Sequence, residues 1–249
     1  MAGACRPSRH AIVWHERDRA WHEPERARGY LNNVVRLHMS NEEAAVNGAW
    51  EKIDAWAEHF APLVSCDLLP PADEERIGQA ERSLGHTFPV AFRRSLGRHE
   101  GQTGESGALL GGFTLIRLSE IVETHSMLAR LRRSGAIPRQ LDDKVGADPG
   151  VQQSWWCEGW LPIASDGAGN HICVDVAPTA IGVAGQLITY YRDHPLRRLV
   201  APSFAALLTR AARWMESGRV LVERTSHPPF EAEFLEYSDW DEFIADASE

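Results

Sequence analysis

In the first half of the chain apolar residues recur at helical spacing; in the second half they alternate. Trp50, Ile53, Trp56 (or Ala57) and Phe60 fall on one helical face, in a run that starts after Met39 and ends near Pro62. Asp73 is placed to cap EERIGQAERSL, with Ile77, Ala80 and Leu84 on one face and Gly85 as the stop. Pro89 suits the first turn of a short helix that closes at Gly97. FTLIRL (113–118) alternates as a strand does, and Ser119 is positioned to cap a helix through about Ser134 with Ile121, Val122, His125, Leu128 and Leu131 inside.

Residues 135–154 are rich in Pro, Gly and Asp and read as a long loop. Alternating runs at 160–164, 171–176 and 186–191 predict three strands, Ser203 caps a helix ended by Gly218, and 219–225 reads as a last strand. Helices followed by adjacent strands with short turns predict an α+β fold, one domain with a mainly antiparallel twisted sheet and helices packed around it.

Charge divides the chain. Residues 1–38 hold seven arginines against four acids and no sustained apolar period, so they read as a flexible basic extension. The domain is then expected over 39–229, with a separate acidic, aromatic segment over 230–249. The whole chain carries a formal net charge of -9, which disfavours a nucleic-acid partner and favours a basic one. No apolar run reaches membrane-spanning length, no secretory h-region opens the chain, and four scattered cysteines suit a reducing compartment. A cytoplasmic location without membrane partners is the expectation; no oligomeric state follows.

The chemically richest stretch is WWCEGWLPIASDGAGNHICVDV, residues 155–176. Its DGAGN segment has two glycines free to take positive φ, and Asp166 and Asn170 can bond back to nearby amides, which predicts a hairpin loop with a bulge. The loop lacks the acids of a calcium site and the Gly-Lys-Ser/Thr ending of a phosphate loop, so no metal or cofactor is expected there. His171, Cys173 and Asp175 share one strand face, while Ile172 and Val174 point into the core. That triplet is the one cluster on which an enzyme reading could rest; the simpler expectation is a half-exposed sheet face. Trp155 and Trp156 are adjacent and point to different sides of an extended segment, so one is expected to stay accessible as a binding anchor.

In order along the chain, LPPADEERIGQAERSLGHTFPVAFRRSLGRHEGQ, LLGGFTLIRLSEIV, the 155–176 stretch, GQLITYY and APSFAALL resemble the SUKH superfamily in its Smi/Knr-type branch, over about 48–218. The pattern G-W-x-P-x-x-x-D-G-x-G-N is matched by Gly159, Trp160, Pro162, Asp166, Gly167, Gly169 and Asn170, and a following acidic position by Asp175. The resemblance implies an α+β domain without catalysis. Bacterial members are similar to immunity proteins that neutralise a cognate toxin, and fungal members to regulators of cell-wall assembly acting through protein contacts.

The tail FEAEFLEYSDWDEFIADASE has eight acids and no lysine or arginine. Phe230, Phe234, Tyr237, Trp240 and Ile244 fit one helical face, so it reads as an amphipathic helix that packs on its own domain or docks into a cationic groove. The leading expectation is a non-enzymatic immunity protein binding a basic toxin domain, with Trp155, Trp156, Asp166, Asn170, Asp175, Trp240, Asp241 and Glu242 as candidate contacts. A regulatory scaffold related to cell-wall assembly is the alternative.

Overall fold

The structure, a computed structural model, describes residues 24–227 and 230–245. Residues 1–23 and 246–249 of the two expected terminal segments therefore lie outside the described residues. The chain divides at Asn41/Glu42 into two units, of which the second, Glu42–Glu249, holds the sheets and the core.

Helix α1 spans Pro24–Phe60, so the start expected after Met39 falls inside it. Its Val46, Ala49, Trp50, Ile53 and Ala57 are buried, and Ala57 rather than Trp56 continues the inward face. Phe60 is exposed, because the stripe has by then rotated away from the core. α2 (Pro62–Asp67) follows at once. α3 (Glu74–Leu84) begins where Asp73 accepts a bond from the Arg76 N–H at 2.8 Å and ends at left-handed Gly85. α4 (Val90–Leu96) starts after Pro89.

The expected strand at 113–118 shrinks to β1 (Thr114–Leu115), and α5 spans Leu118–Arg133. Ser119 is not its cap; the Glu120 carboxylate folds back to accept from the Arg117 N–H at 3.2 Å. The 135–154 segment holds a 3₁₀ turn (Arg139–Lys144) and β2 (Gly146–Ala147). β3 (Trp160–Ser165), β4 (His171–Asp175) and β5 (Gln186–Tyr190) match the three expected strands closely. β6 (Leu196–Arg197), β7 (Leu199–Ala201) and α6 (Phe204–Glu216) follow, the last capped by Ser203. A five-stranded antiparallel sheet runs in the order β1-β3-β4-β5-β7, and β2 pairs in parallel with β6. This is an α+β arrangement. Among the described residues no helix is long and apolar enough to cross a membrane.

The tail is not one amphipathic helix. β8 (Val220–His227) and β9 (Phe230–Tyr237) form a hairpin, and only α7 (Trp240–Ala245) is helical. Strand alternation turns Glu233, Leu235 and Tyr237 inward and leaves Phe234 exposed. Buried Glu233 masks the pattern in the sequence: it accepts from the Leu63 N–H at 2.8 Å and from the Arg224 guanidinium at 2.9 Å, which satisfies its charge. The Tyr237 hydroxyl donates to Leu109 O at 2.8 Å, and α7 packs beside the edge strand β7. This segment packs on its own domain.

The sheet buries both faces. On one side Leu161, Ile163, Ile172, Val174 and Leu187 join the large aliphatic core with Trp50, Ile77, Phe92, Phe204 and Trp214. On the other Trp160, Cys173, Ile188 and Tyr190 meet Trp156, Leu128, Ile137 and Val151. The 135–157 segment, a loop by sequence, is the lid of this second core.

Candidate functional site

The DGAGN turn behaves as its residues dictate. Gly167 and Gly169 have φ of 75° and 95°. One Asp166 carboxylate oxygen accepts from the N–H groups of Ala168 (2.8 Å) and Asn170 (3.0 Å), and the other from the Asn170 side-chain amide (2.6 Å). Asn170 Oδ1 accepts from the Arg192 N–H at 3.0 Å, tying the turn to the end of β5. Both side chains are thus engaged inside the fold. The irregularity expected in the turn lies instead within β3, between Pro162 and Ala164. Pro162 has no N–H to give the ladder, and the displaced Ile163 carbonyl accepts from the Ile116 N–H at 3.1 Å.

The His171, Cys173 and Asp175 face is not half exposed. All five residues of β4 are buried. Cys173 is 0 % exposed and burial pushes its thiol far above the usual range, the reverse of what a nucleophile needs. His171 stacks on Tyr190 at 6.0 Å, its Nδ1 lies 3.3 Å from Ala164 O, and burial holds its imidazole below the ordinary histidine value. Asp175, a candidate contact by sequence, is wholly buried, and burial raises its carboxyl above the usual range against the pull of its two hydrogen bonds. Trp156 is likewise removed from the candidate contacts, since it is buried against Trp160 (6.0 Å) and Tyr190 (5.2 Å). Trp155 is the more accessible of the pair.

Beside these rings sits a residue the sequence did not flag. Arg197 is buried, with its guanidinium 4.8 Å from the Tyr190 ring, 5.5 Å from Trp155 and 6.0 Å from Trp160. Its Nη groups donate to the carbonyls of His194, Leu196 and Trp155 at 2.8–2.9 Å. Burial pulls its pKa down to about 10. The aromatic faces and carbonyl dipoles compensate this cation, and they fix Trp155 from below.

Asp175 has a different task. Its Oδ1 accepts from the Ala177 N–H at 3.0 Å and its Oδ2 from the Gln186 side-chain amide at 2.9 Å. The same amide donates to Gly150 O at 3.1 Å, and Gln186 Oε1 accepts from the Val183 N–H at 3.1 Å. Thr179 N–H donates to Gly150 O, Gly185 N–H to Asp175 O, and the Gln152 amide to the carbonyls of Ala177 and Pro178. A Cβ on Gly182 would sit 2.3 Å from Gly150 O, so only glycine fits there. The 177–185 loop is thereby clamped at both ends and in the middle. At its tip Ile181 is 78 % exposed and Val183 59 %. Sequence reasoning missed both, although APTAIGVAG between two strands is a visible signal: two branched apolar residues in a turn otherwise made of small ones.

Trp240, Asp241 and Glu242 belong to the fold as well. The Trp240 ring stacks on Phe113 and Phe243 at 5.6 and 5.2 Å, Asp241 pairs with Arg198, and Glu242 with Arg219. The structure does not bring them together with the 155–176 stretch into one site. Gly159 and Trp160 serve β3: Gly159 O accepts from the Val176 N–H at 2.8 Å, and Trp160 is fully buried.

Residues 71–210 match the family described as the SMI1 / KNR4 family (SUKH-1). Among curated proteins, the cell wall biosynthesis/cell cycle regulator smi1 of Schizosaccharomyces pombe is 34% identical over 213 residues, covering 77% of this chain and 42% of that protein. The cell wall assembly regulator SMI1 of Saccharomyces cerevisiae is 28% identical, covering 68% and 40%. The glucan synthesis regulatory protein of Neurospora crassa is 29% identical, covering 73% and 40%. The chain thus spans about two fifths of the length of these relatives. All three are named as regulators.

Proposed function

The chain belongs to the SMI1/KNR4 family (SUKH-1), and from that premise we propose that it is a non-enzymatic regulatory domain that acts by binding another protein through the 177–185 loop. Relatives named as regulators of cell-wall assembly and glucan synthesis support the regulatory reading over toxin neutralisation, for which none of these three speaks. The observation that carries the contact surface is the pairing of a clamped backbone with bare apolar side chains at Ile181 and Val183. A loop held rigid before binding loses little conformational entropy on contact, so its apolar area is turned into affinity with small loss. The role in a cell-wall pathway follows from the relatives alone, while protein binding is supported by the loop.

The test is quantitative co-purification from the native host with the wild-type chain and an Ile181→Asp/Val183→Asp variant. Both side chains face solvent, so the melting temperature stays unchanged while specific partners are lost, with affinity lower by about 10- to 100-fold. An identical partner set at identical recovery would sink the loop as the contact surface.

A further inference from the structure

The C-terminal hairpin lies outside the 71–210 family match, and its two edges differ. The outer edge of β9 is engaged: Glu233 O accepts from the Gly107 N–H at 2.7 Å. Among the described residues β8 has β9 as its only sheet neighbour, along eight residues. Long open edges are usually blunted in native proteins, because they offer a row of unpaired amides and carbonyls to any other chain. This one is also held in place. Its inward face joins the core through Val220, Val222, Leu235 and Tyr237, and the Arg224–Glu233 pair ties it to Phe60 O and the start of α2.

The outward face has a definite chemistry. Leu221 is 57 % exposed and Phe234 48 %, and they lie diagonally across the ladder from each other. Exposed Glu223 and Glu236 sit beside them. A strand laid along β8 places successive outward side chains next to Leu221, then Glu223.

We propose that the open edge of β8 is a strand-addition site for an extended segment of a partner protein whose outward positions alternate apolar and basic. Main-chain bonds to the edge supply affinity, and the Leu221/Glu223 succession selects the side chains. This surface is separate from the 177–185 loop and stands whether or not that loop binds.

The test uses the full chain and a fluorescein-labelled, end-blocked peptide Thr-Leu-Thr-Lys-Thr-Leu-Thr. Anisotropy is expected to show saturable binding that weakens about tenfold or more when the peptide Lys is replaced by Glu. Glu223→Lys is expected to reverse that preference, and its outward position leaves the fold intact by circular dichroism. On peptide addition, amides at alternate residues of β8 exchange more slowly while those paired to β9 do not change. Binding indifferent to both charge reversals, or protection located away from β8, would overturn the proposal. So would protection of the β8 edge in the free chain together with elution as a dimer, since the occupant would then be a second copy.

Discussion

The two faces of β4 bury equally and do different things. Ile172 and Val174 enter a large aliphatic core, where contact area is what counts and one well-packed hydrocarbon can replace another. His171, Cys173 and Asp175 enter the smaller core of Trp156, Trp160, Tyr190 and Arg197. There the polar groups are satisfied in few geometries, so burial fixes position as well as adding stability. The Smi/Knr-type pattern, which reads as a possible site, is therefore scaffolding: its turn locks itself, its acidic strand residue clamps the next loop, and the surface that results belongs to residues outside the pattern.

The strongest way to break the contrast is to open a cavity on the aliphatic face. Ile172→Ala is expected to cost about 2–5 kcal/mol, measured by denaturant unfolding, with the loss spread over the whole domain. Amides of the 177–185 loop should lose protection only as the global stability falls. A loop that loosens first would mean the two faces are not separate devices.

Asp175→Ala probes the other face and should cost less, about 1–3 kcal/mol, because it deletes two hydrogen bonds and leaves the Ala177 N–H unpaired. Its signature is local. Hydrogen exchange across 177–185 should quicken well beyond the global change, while the large core keeps its protection. Uniform loss across the domain would remove the clamp from Asp175.

The same contrast separates what is legible in the sequence from what is not. The caps at Asp73 and Ser203, the stop at Gly85 and the strands β3, β4 and β5 rest on local signals and can all be read directly. The burial of the His171 face cannot, because its lid comes from Ile137, Val151 and Trp156, in or beside a segment whose Pro, Gly and Asp content says only loop. The hairpin reads as a helix because the inward residue Glu233 is a carboxylate that finds its partners in Leu63 and Arg224, far off in sequence or across the ladder. Ile181 and Val183 are visible as residues. What makes them a candidate site is a clamp built by Gly150, Asp175 and Gln186, which no periodicity reveals.

The smallest expected effect, and the one that sharpens the contrast most, is a pH dependence confined to the polar core. Burial holds both His171 and His125 below the ordinary histidine value. His125 Nε2 lies 2.7 Å from Glu158 O, its ring is 6.0 Å from Trp156, and nearby His86 and Arg133 disfavour its charge further. In the unfolded chain both imidazoles take up protons at the usual value, near about pH 6.5. Below that pH the unfolded state binds more protons than the folded one, so stability falls as pH falls and levels off once the folded pKa values are passed. Asp175, raised by burial, works in the opposite sense at lower pH, where the folded carboxyl protonates before the unfolded one. The denaturation midpoint should therefore decline between about pH 7.5 and 5.5, and a His125→Gln/His171→Gln variant should flatten that slope even if its stability at neutral pH is lower. An unchanged slope in the variant would show that the acid sensitivity lies elsewhere, and the polar face would then differ from the aliphatic one in geometry alone.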